Sequence, residues 1–296
     1  MNFRTDLALE KRESLGEETP NGVSCETEEY ETATVTTITV ENEAGERALG
    51  KPKGKYITLE VTPFMKNAGL SDERIEIFSK KLLSLLPQEG TVLVAGLGNE
   101  SITPDALGPR CISLLLATRH IKKELAKSIG FSSLRPVAGI IPGVLGKTGI
   151  ETAEILEAVA EKINPAALVV IDALASRKLS RLGTTVQLTD TGLSPGSGVG
   201  NRGAEISRNT LGIPVIAVGV PTVVDGATMA FDLLEGAGVD TSSFLRDADF
   251  SKGRLMMVTP KEIDLVIERA AWLISMGINC ALQKDMEPED IAELVR

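Results

Sequence analysis

Two aspartates stand beyond strongly apolar segments of the chain, Asp105 and Asp172. Asp105 follows residues 91–95, TVLVA, by ten residues, and Asp172 follows residues 166–171, AALVVI, directly. Short β-branched runs of this kind are typical of strands buried on both faces of a parallel sheet. Because ligands of open α/β sheets bind beyond the carboxyl ends of the strands, both acids are predicted to lie in one site.

Two neighbouring carboxyl groups have a specific use in catalysis. They do not both ionise easily, so the pair shares a proton. The ionised member can activate a water molecule while the protonated member polarises a carbonyl group. Backbone amides of the glycine loops at 96–99 and 192–201 are candidates to stabilise the oxyanion. The pattern favours hydrolysis by a carboxylate pair and leaves open which aspartate is the base.

A structural interpretation competes with this one, because a single aspartate after a strand is more commonly a helix N-cap or a turn residue. The glycine loops could also cradle phosphate, as in a nucleotide-binding enzyme, although the loop at 142–149 lacks the following GK[ST] of a P-loop. A non-catalytic oligomeric scaffold is a further alternative. The pairing of Asp105 with Asp172 beside glycine loops favours catalysis over each of them.

Histidine is scarce, since the chain has a single one, His120. A Ser-His or Cys-His nucleophile, or a histidine-rich zinc site, would depend on that residue, which we expect to be an ordinary surface or helix-end side chain. Cys25, Cys111 and Cys280 lack metal-binding or redox spacing and indicate a reducing, cytoplasmic compartment. We therefore expect neither a metal nor another cofactor.

Composition excludes other classes of protein. The chain has 296 residues, 43% of them hydrophobic, which indicates a globular protein with an ample core. Its formal net charge of −10 argues against direct binding of nucleic acid, which relies on a basic face. We find no signal peptide and no run of about 18 apolar residues, so no membrane association is expected.

The order of elements predicts an α/β fold, a mostly parallel sheet with helices on both faces. An N-terminal β-hairpin is expected from the alternating residues 31–42 and 56–61. Residues 1–30 are polar and are expected to form a loosely held arm, with residues 31–296 as one domain. The same βα alternation argues against a pepsin-type fold around the triplet Asp190-Thr191-Gly192. Helices are predicted over residues 71–86, 106–129, 151–163, 222–234 and 262–276.

The motifs TDLA, TPDALGP, PGVLGKTGIET, IDALASR, DTGLSPGSGVGN, LGIPVIAVGVPTVVD and MVTPKEID occur in that order between residues 4 and 282. The series resembles the germination proteases of spore-forming bacteria. The resemblance implies a fold similar to the hydrogenase-maturation proteases and an aspartic-type endopeptidase that degrades small, acid-soluble spore proteins in the spore core. It also implies a homotetramer made as a zymogen, with Asp105 and Asp172 in the two motifs that carry the family's catalytic acids. Residues 232–255 are shorter than the family's usual insertion there.

The resemblance further implies self-processing between Asp6 and Leu7, since the family's substrates have an acid followed by a bulky apolar residue and alanine. Residues 4–10, RTDLALE, match that pattern and would make residues 1–6 a short propeptide. The alternative is that this stretch begins the first ordered element, with Thr5 as a cap. A metal-dependent maturation-type protease of the same fold remains the rival for the whole chain, although such an enzyme usually needs a histidine ligand.

Overall fold

The computed structural model describes residues 5–16, 18–61, 72–121, 134–196, 203–239, 253 and 255–295. Over these residues, nine strands form one mixed sheet in the order β1-β2-β3-β7-β8-β6-β4-β5, with β9 paired to β8. The strands are β1 (Val23–Glu29), β2 (Ala33–Val40), β3 (Gly54–Val61), β4 (Val92–Gly96), β5 (Val137–Ile140), β6 (Ala167–Ala175), β7 (Thr185–Thr189), β8 (Val215–Asp225) and β9 (Met257–Val258).

Helices cover both faces of this sheet. They are α1 (Ala8–Glu13), α2 (Glu43–Leu49), α3 (Glu73–Leu85), α4 (Leu107–Ser113), α5 (Leu145–Thr148), α6 (Thr152–Ile163), α7 (Arg208–Leu211), α8 (Gly226–Gly236), α9 (Ile263–Leu282) and α10 (Pro288–Val295). The helix predicted over 106–129 ends at Ser113, and residues 122–133 lie outside the described residues. The helix predicted from residue 222 begins at Gly226, because β8 continues to Asp225.

Four strands form a parallel half of the sheet. β4 pairs in parallel with β5 and β6, and β6 pairs in parallel with β8. Strand β4 is buried at every position, and β8 at nearly every one. Continuous apolar sequence forms such strands because both faces are covered by helices.

The other half is antiparallel, so the prediction of a mostly parallel sheet is wrong. β1, β2 and β3 pair antiparallel in sequence order, β3 pairs antiparallel with β7, and β7 with β8. The two alternating segments pair antiparallel, as expected, but they do not form a separate hairpin extension. β2 and β3 are joined through α2, a third strand precedes them, and β3 continues the main sheet through β7. Period-two patterning fits either strand direction, and residues 45–54, GERALGKPKG, have the composition of a turn although the first of them belong to α2.

The apolar core is divided by the sheet. The larger cluster packs α3, α4, α9 and α10 on one face. The opposite face carries two smaller clusters, one around Leu156 of α6 and one where Leu9 and Leu49 pack α1 and α2 on β2 and β3. By length and composition α9 could cross a membrane, contrary to expectation, but it is mostly buried among the helices and strands of the large cluster. Such burial is typical of the core helix of a soluble protein.

The N-terminal segment is packed, so the expectation of a loosely held arm is wrong for the described residues 5–16 and 18–30. Leu7 and Ala8 are fully buried, and α1 begins at Ala8. The Glu10 carboxylate accepts hydrogen bonds from the backbone amides of Arg177 and Lys178, at 2.7 and 2.9 Å. These contacts join the first helix to the chain that follows β6.

Candidate active site

Asp105 is positioned by close backbone packing after β4. It ends a short 3₁₀ helix, Thr103–Asp105, and its Oδ2 accepts from the Asn99 backbone amide at 2.8 Å. Gly98 has φ +108°, and a Cβ there would lie 2.0 Å from the Asp105 carbonyl oxygen. A side chain at Gly98 would therefore displace the acid.

Asp172 projects from the face of the sheet. The sequence predicted a strand ending at Ile171, but β6 continues to Ala175 because its pairing with β8 goes on after its pairing with β4 has ended at Ile171. Side chains alternate along a strand, so Asp172 shares a face with Leu168 and Val170, which pack in the α6 cluster. The aspartate is 9% exposed, and its side chain points into the space next to that cluster.

The two carboxyl groups influence each other. Burial raises the pKa of Asp172 to about 8, and the charge of Asp105 contributes further in the same direction. Burial also raises the pKa of Asp105, while the hydrogen bond from Asn99 opposes that rise. A raised pKa in one member of a close pair is what keeps a proton on it near neutral pH. The two acids predicted from the sequence are therefore near enough for the charge of Asp105 to raise the pKa of Asp172.

Both acids line a single cleft of about 970 Å³ on the face between the α6 cluster and the α1–α2 cluster. The register Asp172↔Gly219↔Gln187 places Gln187 of β7 on the same face as Asp172. A Cβ on Gly219 would lie 2.5 Å from Leu174, so the missing side chain leaves room for that leucine. Other polar residues that line the cleft are Thr5, Asp6, Lys11, Lys51, Tyr56, Thr189, Thr191, Ser194, Glu205 and Thr222.

The N-terminal segment enters this cleft. The Asp6 amide donates to the Ala175 carbonyl oxygen at 3.0 Å, and the Asp6 carboxylate accepts from the Ala175 amide at 2.9 Å. The Asp6 charge also contributes to the raised pKa of Asp172. Asp6, which precedes the peptide bond that the family resemblance singles out, therefore lines the same cleft as the two acids and is held by hydrogen bonds instead of lying in a free arm.

The backbone amides expected to bind an oxyanion are largely engaged elsewhere. After β4, the Leu97 amide donates to the Ile171 carbonyl oxygen at 2.8 Å, and the Asn99 amide donates to both the carbonyl and the carboxylate of Asp105. The second loop, 192–201, falls partly outside the described residues, from 197 onward. The first loop shapes the site by holding Asp105.

The remaining candidates lie away from the acid pair. His120 is exposed in a turn, and burial raises the pKa of Cys111 to about 12. Asp190 is exposed and accepts from the Lys55 amide at 2.7 Å, as a turn residue does. Within the described ranges, no group of three or more His, Cys, Asp and Glu side chains is arranged to hold a metal ion.

Sequence reasoning missed two cleft residues, Lys51 and Gln187. The signal for Gln187 was its place inside the apolar strand TTVQLT, since a buried amide in such a strand requires partners. Lys51 belongs to the run GKPKG, which has the composition of a plain turn and gives no comparable signal.

Comparison with known proteins gives consistent matches over the chain. A family model described as germination protease matches residues 4–236. A germination protease of Clostridium perfringens is 44% identical, and the alignment covers 98% of each chain. That of Caldanaerobacter subterraneus is 42% identical and covers 100% of this chain and 98% of the relative. That of Priestia megaterium is 35% identical and covers 98% and 96%.

Among solved structures, a NiFe hydrogenase maturation protease from Thermococcus kodakarensis aligns with 67% of this chain and 98% of its own. The TM-score is 0.34 and the identity 14%. A likeness of that size carries no information about the chemistry of the cleft.

Proposed function

The chain belongs to the germination protease family and is an endopeptidase of spore germination, and from that premise we propose that Asp105 and Asp172 are its catalytic pair and that small, acid-soluble spore proteins are its substrates. One observation carries the proposal. The two acids line one cleft, where burial and the charge of Asp105 raise the pKa of Asp172 to about 8.

The pair works by sharing one proton. The ionised carboxylate removes a proton from a water molecule, whose oxygen forms a bond to the carbonyl carbon of the substrate. The protonated carboxyl hydrogen-bonds the carbonyl oxygen, where negative charge develops. A proton then passes from the pair to the amide nitrogen as the C–N bond breaks, which yields a carboxylic acid and an amine. No metal or other cofactor is used.

Substrate recognition follows from the segment that lies in the cleft. The Asp6 side chain accepts from the Ala175 amide, and Leu7 is fully buried. An acid before the cleaved bond and a bulky apolar residue after it would make the same contacts in a substrate. The enzyme is made as a zymogen in the spore core and cuts its own Asp6–Leu7 bond, which removes residues 1–6. It assembles as a homotetramer, which light scattering tests against the 31.4 kDa mass of one chain.

Incubation of the full chain with a small, acid-soluble spore protein, followed by mass spectrometry, tests the activity. We expect cuts after an acid and before a bulky apolar residue that alanine follows. Asp105→Asn should abolish them, because the change removes a proton-transfer group but preserves size. The exposed Asp190→Asn is the matched control and should remain active. Turnover near that of the wild type in Asp105→Asn would refute the pair.

N-terminal sequencing after incubation at mildly acidic pH tests self-processing separately. A new terminus at Leu7 that is absent in Asp172→Asn supports it. A terminus that stays at Met1 or Asn2 under all such conditions contradicts it, and does so without bearing on cleavage of other proteins.

A further inference from the structure

Two side chains, one from the loop between α2 and β3 and one from β7, converge on one carbonyl oxygen in the cleft. The Lys51 Nζ donates to the backbone oxygen of Asp6 at 2.8 Å, and the Gln187 Nε2 donates to the same oxygen at 3.2 Å. The Gln187 Oε1 accepts from the Ala8 amide at 2.7 Å. Gln187 therefore holds the chain on both sides of Leu7, and the peptide carbonyl that precedes Leu7 receives two donors.

The position of Lys51 disfavours the charged form of its side chain. Burial lowers its pKa, as does the neighbouring Lys11, while Asp6 and Glu10 oppose that effect. Any neutral donor could have anchored a loop through this carbonyl. A partly buried ammonium stabilises the oxygen more than a neutral donor does once that oxygen becomes negatively charged, because charge–charge attraction is stronger away from bulk water.

The lone pairs of the Asp6 carbonyl oxygen can accept from both side chains and, during the reaction, from the acid pair. A carbonyl oxygen has two, and Lys51 and Gln187 occupy both in the structure. When water adds to the carbon, the π electrons move to the oxygen and create a third lone pair. The protonated carboxyl of the acid pair can bind that lone pair as it forms. The Leu97 and Asn99 amides are engaged elsewhere, so neither of them is available for this role.

We propose that Lys51 and Gln187 form the oxyanion site of this protease, a carbonyl clamp that binds the oxygen of the residue before the cleaved bond. The clamp rests on the function proposed above, and it acts on the Asp6–Leu7 bond and on substrates that take the same place. The electron pair on the oxygen returns to re-form C=O when the C–N bond breaks. Lys51 supplies most of the charge stabilisation, and Gln187 also binds the amide two residues further along.

Steady-state cleavage of the peptide RTDLALE, the sequence of residues 4–10, tests the clamp. We expect Lys51→Met to lower kcat by about 10²–10³ with KM changed less than about threefold, as for loss of an oxyanion donor. Gln187→Met should lower kcat by roughly tenfold and also raise KM, because it loses the contact with the second amide. Lys53→Met, an exposed lysine two residues away, is the matched control and should equal the wild type.

The outcomes separate the clamp from the function on which it rests. If the wild-type chain fails to cut any substrate, the proposed function is refuted. If the wild type cuts, Asp172→Asn does not, and Lys51→Met keeps kcat within about threefold, the clamp alone is overturned. If circular dichroism shows that Lys51→Met is unfolded, the same kinetic measurement is made on Lys51→Gln, which keeps a neutral donor. A tenfold fall in its kcat at unchanged KM supports the clamp, and wild-type kcat overturns it.

Discussion

The adjacent strands β6 and β8 each carry a buried aspartate towards their carboxyl ends, and the two acids behave differently. Asp225 caps α8, and its two oxygens accept from the amide and the hydroxyl of Thr228 at 2.9 and 2.6 Å. Asp172 accepts from the amide of Ala173 and faces the charges of Asp105 and Asp6. Burial is similar, so the partners decide. The Asp225 carboxylate holds a helix through its hydrogen bonds, whereas burial and the charges of Asp105 and Asp6 raise the pKa of Asp172.

The largest expected effect concerns activity. Asp172→Asn should lower kcat by at least about 10³, since the proton-transfer group is lost, while Asp225→Asn should stay within about threefold of the wild type because asparagine also caps helices well. Peptide turnover measured for both variants checks this. Comparable losses in the two would mean that strand-end acids matter here for folding and not for chemistry.

The second expected effect concerns stability, and it involves Asp225. Asp225→Ala removes both hydrogen bonds to Thr228 and should lower the free energy of unfolding by about 1–2 kcal/mol, the usual cost of losing an N-cap. Urea denaturation at pH 7 measures it. Asp225→Asn serves as the control, with little change expected. An unaltered stability in Asp225→Ala would show that α8 does not depend on its cap.

The third effect depends on pH. The folded pKa of Asp172 is about 8, against an ordinary value of 3.8, so the folded protein keeps a proton that the unfolded chain releases. The contribution of this group to stability is present below about pH 4 and is lost as the pH rises to about 8. Asp172→Asn avoids the loss and should exceed the wild type at pH 8.5 by at least roughly 2 °C, or about 1 kcal/mol. A stability difference that does not vary between pH 5.5 and 8.5 would contradict the raised pKa.

The last prediction is that removal of metal ions has no effect on activity. Exhaustive chelation should leave peptide turnover unchanged, because the Asp105–Asp172 pair is proposed to activate water without a metal. Turnover is measured before and after dialysis against a chelator. Loss of activity that one specific divalent ion restores would favour the metal-dependent maturation-type mechanism, and the contrast between Asp172 and Asp225 would then concern a ligand and not a proton.

The acids could be predicted because their signals are local. A short apolar run marks each buried strand wherever the rest of the chain lies, and the carboxyl end of such a strand is a probable site. The exact end was less predictable. Whether β6 stops at Ile171 or continues to Ala175 depends on β8, more than 40 residues further along.

The clamp and the packing of the N-terminal segment were not predictable, because they depend on contacts between distant parts of the chain. Residues 5–8 look like a polar terminus in sequence, and only the strand order brings Gln187 beneath them. The place of β2 and β3 in the sheet could not be predicted either, because their alternating residues fit both a separate hairpin and a continuation of the main sheet. Sequence patterns indicate the apolar strands but not β1, whose mostly exposed residues look like part of a polar arm, and tertiary pairing determines which strands are neighbours.

The pairing of Asp6 with Ala175 has a consequence for biosynthesis. The cleft joins residues near the beginning of the chain to β8, which ends at Asp225. At a translation rate of about 5–20 residues per second, the first residues wait on the order of 10–40 s for those partners to be synthesised. During that time the nascent chain has neither its acid pair nor its carbonyl clamp. A protease built in this way cannot act on neighbouring nascent proteins from an unfinished polypeptide.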